Sequence, residues 1–208
     1  MPVFHEHKLI FFHIGKTGGF SIEKALGLGQ LDYRVFDDRV VHGLNKGVMT
    51  QHARPGYVRD IVGDDIFNEY YKFTIVRNPW DRMVSAYHYL YDFHVKKFGD
   101  FPTWLKHKYD MVTMNKYKEG SHYTPQIEFT HEDDVQVVDY IGRFEDLEGS
   151  YKHICNVNGI ECKPLNKLNS SKHRDKERYM SYYTIDTREM VEIMYRRDIV
   201  EFGYGFNI

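Results

Sequence analysis

The chain has 208 residues, and its 28 Lys and Arg against 30 Asp and Glu give a formal net charge of −2. Hydrophobic residues make up 42% of the sequence, which is enough for the core of a single domain, 1–208. These values exclude a polybasic nucleic-acid-binding protein and an acidic disordered chain. The longest apolar run, from Leu9 to Phe12, is far shorter than the roughly 20 residues of a membrane-spanning helix.

A strand, a loop and a helix are predicted at the start of the chain. Residues 8–14 form an apolar run rich in Ile and Phe, which is typical of a strand buried on both faces in a parallel sheet. A glycine-containing turn follows over 15–19. The spacing of the next apolar residues predicts a helix over 21–28, which ends at a glycine.

The same arrangement recurs in the middle of the chain. Residues 70–77 predict a second buried strand. Asn78 directly after it is a natural helix N-cap, and Pro79 suits the first helical position. The apolar residues that follow keep a helical period, so the helix is predicted to continue to about Val95.

Further elements complete an α/β pattern. A third strand is predicted over 135–144 and a helix over 145–157, and a capping box at 186–189 indicates another helix. Strands that alternate with helices favour a mostly parallel sheet flanked by helices. Because ligands of such folds bind at the carboxyl ends of the strands, the loops at 15–19 and 77–79 are expected to form the site.

The first of these loops has the composition of a phosphate cradle. Its glycines let backbone N–H groups converge on an anion, Lys16 adds a full positive charge, and Thr17 and Ser21 add hydroxyl donors. The alternative is an ordinary strand-to-helix turn with an exposed lysine. A Walker A loop is disfavoured, because Ile10 occupies the position of its first glycine and the glycines here follow the lysine.

The second loop pairs an arginine with a hydroxyl. Arg77 ends the strand, and Ser85 lies seven residues past Asn78, about 10 Å along the helix. A guanidinium binds phosphate with two parallel hydrogen bonds, so both side chains are candidates for one phosphate. The alternative is that Arg77 pairs with a structural carboxylate such as Asp81 and that Ser85 is solvated.

Together, the segments K-T-G-G-x-S at 16–21 and V-R-N-P-W-D-R-x-V-S-A-Y at 76–87 resemble the two phosphate-binding signatures of sulfotransferases that use 3′-phosphoadenosine 5′-phosphosulfate (PAPS). More narrowly, the chain is similar to the carbohydrate branch of that family, which includes heparan-sulfate 2-O- and chondroitin-type enzymes and bacterial relatives. The similarity continues in the segments 141–147, 168–171, 182–183 and 198–204.

The resemblance implies a three-layer α/β fold related to the P-loop kinases, PAPS as the donor and adenosine 3′,5′-bisphosphate as the product. By position, the residues expected to hold the 5′-phosphosulfate are Lys16, Thr17, Gly18, Gly19 and Ser21, and those expected to hold the 3′-phosphate are Arg77 and Ser85. The basic segment 163–178 could be a solvated charged loop or a site for an anionic glycan, but we expect it to contact the donor through Asn169, Ser171 and Lys172. The chain departs from the family pattern at Gly15, where proline is usual, and at Phe20, where threonine is usual and supplies a further hydroxyl.

Sulfuryl transfer needs a base near the acceptor hydroxyl, and the pKa of histidine suits that task. His52 lies in a segment that resembles the one bearing the family's proposed base, and Lys16 is expected to neutralise charge on the departing 5′-phosphate. His122 and Gln126 lie in a segment similar to the family's H-x-x-P-Q, and they are expected to contact the acceptor or the cofactor. His13 is expected in the core. The histidines expected at the surface are His5, His7, His94, His107, His131, His153 and His173.

No metal site is evident in the sequence, and the chemistry requires none. With no signal peptide readable, we expect a soluble, cytoplasmic protein that acts on a hydroxyl of an oligo- or polysaccharide and binds no nucleic acid. Two other functions stay open: a nucleotide phosphotransferase of the P-loop type, and a non-catalytic nucleotide- or glycan-binding relative. Cys155 and Cys162 could pair across a short loop, although two reduced thiols are the simpler expectation.

Overall fold

The computed structural model describes residues 2–28, 37, 40–46, 48–166 and 179–207. Its strands, in chain order, are β1 (Val3–Phe4), β2 (Leu9–Phe12), β3 (Leu44–Asn45), β4 (Val48–Met49), β5 (Tyr71–Val76), β6 (His131–Glu132), β7 (Val135–Gln136) and β8 (Tyr140–Arg143). Its helices are α1 (Gly19–Ala25), α2 (Pro55–Glu69), α3 (Pro79–Tyr89), α4 (Tyr91–Phe98), α5 (Phe101–Thr113), α6 (Leu147–Val157), α7 (Ile185–Met194) and α8 (Arg196–Phe202).

Four strands form the central sheet in the order β1-β2-β5-β8. β2 pairs with β5, and β5 with β8, in parallel, whereas the short β1 runs antiparallel to β2. In this register Phe11 lies beside Phe73, and Phe73 beside Tyr140. The mostly parallel sheet predicted from the sequence is confirmed. Because parallel neighbours end at the same edge, the residues that follow β2 and β5 come together there.

Helices cover both faces of this sheet, since side chains alternate between the faces along each strand. On one face, packed with residues of α1 and α6, the strands bury Leu9, Phe11, Phe73 and Ile75. On the other face, packed with residues of α2 and the C-terminal segment, they bury Ile10, Phe12 and Val76. The predicted α/β arrangement, a sheet with flanking helices, is therefore confirmed.

A second core lies among α3, α5 and α7. Trp104 of α5 is wholly buried in it, and its ring packs edge-on against Tyr87 of α3 with centroids 5.3 Å apart. The indole N–H of Trp80 donates to the carbonyl of Arg188 on α7 at 3.0 Å. These contacts fix α3, which begins directly after the second candidate loop.

The predicted start of α3 is confirmed, but its predicted end is wrong. The Asn78 side chain accepts a hydrogen bond from the backbone N–H of Trp80 at 3.1 Å, as an N-cap does. The helix stops before Leu90, whose φ and ψ of −123° and 51° are not helical, and α4 begins beyond it. The reason is His94, which is buried instead of exposed as expected. Its Nδ1 donates at 2.7 Å to the carbonyl of Tyr87, which a continuous helix would use for its own ladder.

The third strand predicted over 135–144 is two separate strands. β7 forms a hairpin with β6, and only β8 joins the central sheet. The hairpin turn consists of Asp133 and Asp134, both with positive φ, and a turn of this kind matches the twist of the flanking strands. Two acidic residues without glycine gave no turn signal in the sequence.

The C-terminal helix begins earlier than predicted. The capping box consists of Thr184 and Thr187 instead of residues 186–189, and each threonine side chain bonds the backbone of the other. α7 therefore starts at Ile185. A threonine can replace the glutamate of the usual box because its hydroxyl also accepts from a backbone N–H.

Two simpler expectations concern the cysteines and the membrane. Cys155 is buried in α6 and Cys162 is exposed, and both are free thiols in this structure. Within the described ranges, the structure holds no helix of the length and apolarity that a bilayer crossing requires.

Candidate active site

The two candidate loops touch at the carboxyl edge of the sheet. One follows β2 and the other follows β5, and these strands are adjacent and parallel. Arg77 Nη1 donates to the carbonyl oxygen of Lys16 at 2.8 Å. The expectation that both loops lie at one edge is confirmed, and an arginine and a lysine that are 61 positions apart in the sequence belong to one site.

The backbone of the first loop is tightly determined. Lys16 and Gly18 both have positive φ, of 74° and 82°. The hydroxyl of the buried Thr17 donates to the carbonyl of Ile14 at 2.8 Å, so this side chain shapes the loop from within. A Cβ on Gly19 would lie 2.2 Å from the His13 ring, so only glycine fits there. The loop thus presents its backbone closely to whatever binds beside it.

Ser21 connects this loop to the start of the basic segment 163–178. Its hydroxyl donates to the carbonyl oxygen of Asn166 at 2.8 Å. The chain at position 166 therefore passes next to the start of α1. The other expected donor contacts there, Asn169, Ser171 and Lys172, lie outside the described residues.

Arg77 is buried and makes the carboxylate contact considered as the alternative. Its Nε and Nη2 lie 2.7 and 2.6 Å from Asp81 Oδ2, and its guanidinium carbon lies 3.8 Å from the centre of the Phe144 ring. Ser85 is half-buried two turns into α3. The arginine is held in one orientation, so a phosphate bound there would share it with Asp81.

Arg82 is a site residue that the sequence reasoning did not single out. It is fully buried, and burial lowers the pKa of its guanidinium. Its Nε donates to the carbonyl of Gly15 at 3.1 Å, and its Nη2 donates to those of His122 and Thr124, each at 2.9 Å. The Arg82 side chain thus connects the first loop to the segment that holds His122. The signal was present in the sequence, since Arg82 is the second arginine of the matched R-N-P-W-D-R segment.

His52 lies in this site, and its hydrogen-bond partner shows which ring nitrogen carries the proton. Nδ1 is 2.8 Å from the carbonyl oxygen of His13, and a carbonyl can only accept, so Nδ1 carries the proton. In the neutral imidazole Nε2 is therefore the basic nitrogen. The pKa of His52 lies well below its usual value, chiefly because the ring is buried and secondly because His13 and His122 are close by.

His122 completes a cluster of three imidazoles. Its ring centroid lies 4.6 Å from that of His52, which in turn lies 4.7 Å from that of His13. Burial, followed by the charge of Lys16, lowers the pKa of His122 to about 3. A Cβ on Gly15 would lie 2.8 Å from the His122 ring. Glycine in place of the usual proline is therefore required by the position of this histidine.

Tyr89 lies at the open side of the cluster and was also missed. Its ring is 53% exposed, although it packs against His122 with centroids 5.3 Å apart. Lys16 Nζ lies 4.1 Å from the centre of the same ring. An exposed aromatic ring beside both a buried imidazole and the loop lysine marks the entrance to the site. No helical or strand pattern distinguishes this tyrosine from the other sixteen.

His13, one of the three imidazoles of the cluster, also contacts the buried carboxylate of Glu23. Its Nδ1 lies 2.5 Å from Glu23 Oε1, and Gln51 Nε2 donates to Oε2 at 3.1 Å. Burial alone would raise the pKa of Glu23, but the adjacent His13 outweighs it and the net shift is downward. His13 is buried as expected, and it is paired with a carboxylate.

Gln126 lies on the buried side of the site. Its Oε1 accepts from the backbone N–H of Arg77 at 2.9 Å, and its Nε2 donates to the Arg77 carbonyl at 2.8 Å. Its own backbone N–H donates to Asp198, a buried carboxylate. In this structure Gln126 braces the second loop, and its role as an acceptor contact stays a prediction.

Metal ligands do not gather in this region. Across the ranges that the structure describes, no three His, Cys, Asp or Glu side chains are grouped so that they could hold a metal ion. The site therefore consists of a cationic loop region, a histidine cluster and an exposed aromatic ring.

Comparisons with known proteins agree with these features. Carbohydrate sulfotransferase 10 of Danio rerio is 28% identical to this chain over 122 residues, which are 56% of the chain and 31% of that relative. The chain thus spans about a third of the relative's length. No solved structure matches it. The family model described as "Sulfotransferase family" matches residues 1–205, and the chain therefore belongs to the sulfotransferase family.

Proposed function

We propose that this chain transfers a sulfuryl group from PAPS to a hydroxyl group of a carbohydrate, with His52 as the general base. The observation that carries the proposal is the hydrogen bond from His52 Nδ1 to the carbonyl of His13. It makes Nε2 the basic nitrogen, and it anchors the base to the segment that continues into the Lys16 loop. The backbone thereby holds His52 close to the Lys16 loop.

The residues present fit an anionic nucleotide donor. The loop offers a lysine, two glycines with no Cβ between backbone and ligand, and a neighbouring arginine. We assign the 5′-phosphosulfate to Lys16, Thr17, Gly18, Gly19 and Ser21, and the 3′-phosphate to Arg77 and Ser85. In sequence, Asn169, Ser171 and Lys172 remain candidates for the same ligand. The strand-loop-helix order at this site also supports a fold related to the P-loop kinases.

When bound, the donor supplies a sulfuryl group joined to a good leaving group, adenosine 3′,5′-bisphosphate. His52 Nε2 accepts the proton of the acceptor hydroxyl as that oxygen becomes a nucleophile. The Lys16 ammonium stabilises the negative charge that develops on the 5′-phosphate side. Arg82 fixes the position of the Lys16 loop relative to the His122 segment through its three hydrogen bonds to backbone carbonyls. Positioning and electrostatics thus supply the catalysis.

The acceptor side supports a carbohydrate. Tyr89 offers an exposed ring beside His122, and the apolar face of a sugar can stack on such a surface while its hydroxyls reach polar groups. The matched relative is by its printed name a carbohydrate sulfotransferase. We therefore place the acceptor between Tyr89 and the histidine cluster, with His122 as its polar contact and Gln126 supporting the floor of the site.

The test is a transfer assay with a panel of unsulfated and partly desulfated poly- and oligosaccharides. PAPS is supplied in one arm, and ATP with Mg²⁺ in the other. Release of adenosine 3′,5′-bisphosphate together with sulfate on the acceptor, detected by mass spectrometry, is the expected result. Phosphate transfer from ATP would instead show a phosphotransferase. Tight binding of the bisphosphate without transfer to any acceptor would show a binding protein, and either result would overturn the proposed activity.

A further inference from the structure

The buried pair of His13 and Glu23 is more than a core contact. Both side chains are almost fully buried, with 3% and 4% of their surface exposed. A carboxylate in such a place must be compensated by a positive group or by strong donors. Glu23 receives the His13 Nδ1 bond on one oxygen and the Gln51 amide on the other. The His13 ring is therefore the group placed to compensate this buried carboxylate.

The opposite edge of the His13 ring faces the Lys16 loop. An ideal Cβ on Gly19 would lie 2.2 Å from Cδ2 and 2.3 Å from Nε2 of His13, so this edge lies directly against the glycine. Within the described part of the chain, the ring makes one hydrogen bond, which is from Nδ1 to Glu23. Nε2 is thus the end of the ring that can donate to a ligand in the loop. The Phe20 ring packs edge-on against His13 at 6.0 Å and covers it from the side.

His13 and His52 are neighbours with opposite partners. His13 is bonded through Nδ1 to a carboxylate, whereas His52 is bonded through Nδ1 to a carbonyl. A carboxylate favours the imidazolium, while burial beside a cation favours the neutral ring. Two titratable groups whose surroundings favour opposite protonation states can take different chemical roles. The other titratable groups around the pair are His42, which interacts with Glu23, and His122.

We propose that His13, kept as an imidazolium by Glu23, is a donor-binding residue that gives a hydrogen bond from Nε2 to the anion held in the Lys16 loop. The inference rests on the proposed function, because it assumes that a phosphosulfate occupies this loop. It assigns the loop a second cation besides Lys16, located between the anion and the base. It also explains why glycine is needed at position 19, where any side chain would separate the imidazole from the ligand.

The test combines imidazole nitrogen NMR of the ligand-free protein with calorimetric titration of adenosine 3′,5′-bisphosphate. The key variant is Glu23→Gln, which keeps an acceptor for Nδ1 but removes the charge. The matched control is Glu128→Gln, because the charged or hydrogen-bonded partners of Glu128 are Arg54 and Tyr117 and not His13. We expect the His13 signal to be that of a charged ring from about pH 6 to about pH 8 in the unaltered protein, and to titrate in Glu23→Gln.

Bisphosphate binding should weaken about 10- to 100-fold in Glu23→Gln at about pH 8, because a charged hydrogen bond is lost. Binding should recover towards about pH 6, where the ring regains its proton. The unaltered protein and Glu128→Gln, measured alongside, correct for titration of the ligand's own phosphates. A neutral His13 in the unaltered protein, or equal affinities and pH profiles in both Gln variants, would overturn the inference and leave PAPS as the donor. No bisphosphate binding by the unaltered protein would overturn the donor itself.

Discussion

The proposed donor half and the proposed acceptor half of this site are built in different ways. The donor half consists of two short contiguous segments, in which Arg77 donates to the carbonyl of Lys16 and Arg82 donates to the carbonyl of Gly15. The acceptor half consists of the imidazoles of His52 and His122, whose ring centroids lie 4.6 Å apart. His13 connects the two halves, because its carbonyl accepts the hydrogen bond from His52 Nδ1 and its ring lies against Gly19.

Burial, followed by the charges of His13 and His122, lowers the pKa of His52, whereas burial, followed by the charge of Lys16, lowers the pKa of His122. The cations of the donor half therefore act on His122, and His52 is kept neutral by burial and by the neighbouring histidines.

The two halves also respond differently to change. A lost cation weakens binding and transfer together, whereas a lost base lowers the rate of transfer and leaves nucleotide binding intact. Substitutions in the donor half, in the acceptor half and at the boundary between them therefore test whether the two halves differ in this way.

The largest effect is expected from His52→Asn. Asparagine can still donate to the His13 carbonyl but lacks the basic Nε2, so the transfer rate should fall about 10²- to 10⁴-fold. The affinity for adenosine 3′,5′-bisphosphate should not change, as measured by calorimetry. His94→Asn is the matched control, because His94 is also buried with Nδ1 bonded to a backbone carbonyl but lies outside the site. Equal rates in the two variants would remove His52 from the mechanism.

A somewhat smaller effect is expected from Lys16→Met, which keeps the length of the side chain and removes its charge. Loss of one preorganised positive group costs about 10²- to 10³-fold in rate, and here bisphosphate affinity should fall as well. Lys8→Met is the control, since Lys8 also has positive φ but forms only an exposed ion pair with Glu69. If Lys16→Met lowered the rate but not the affinity, the donor and acceptor halves would not divide as described.

Gly19→Ala acts at the boundary between the halves. The new Cβ would overlap the His13 ring, so the loop or the ring must move, and the free energy of unfolding should fall by about 1–3 kcal/mol. Denaturant unfolding measures this difference. Gly56→Ala is the control, because a Cβ there meets only the end of the Glu132 side chain at 3.2 Å. A Gly19→Ala protein as stable as the control would show that His13 is not packed against the loop.

The smallest effect is expected from pH. Burial and the neighbouring imidazoles lower the pKa of His52, so the base stays unprotonated when pH falls and loses its function only in more acid solution. The value of kcat/KM should therefore remain nearly constant from about pH 8 to about pH 6, whereas a histidine of ordinary pKa would lose activity below about 6.5. Initial rates across this range, with folding checked by circular dichroism, provide the measurement. An acid limb near 6.5 would contradict a depressed pKa.

The common location of the two candidate loops was predictable from the sequence because the information is local. The loop glycines, Lys16 and Arg77 lie at the ends of strands whose apolar pattern is clear, and adjacent parallel strands bring such ends together. The Asn78 cap was legible for the same reason. What could not be read was packing: that His94 ends α3, and that Gly15 is required by the position of His122.

The acceptor half shows this limit most clearly. Among twelve histidines, the sequence indicated His52 and His122 by resemblance, but nothing in it placed their rings together or paired His13 with Glu23. The three rings come from positions 39 or more apart, and His13 and Glu23 are 10 positions apart, on different elements. They are set by tertiary structure, which no local pattern encodes.

The central claim is that this chain binds a nucleotide with phosphates at both the 3′ and 5′ positions. The most direct measurement is calorimetric titration of the unaltered protein with adenosine 3′,5′-bisphosphate, ADP and AMP, repeated with Arg77→Ala and Ser85→Ala. The account predicts micromolar binding of the bisphosphate, which both substitutions weaken, and much poorer binding of ADP and AMP. Equal or tighter binding of ADP would contradict the 3′-phosphate assignment and favour a phosphotransferase.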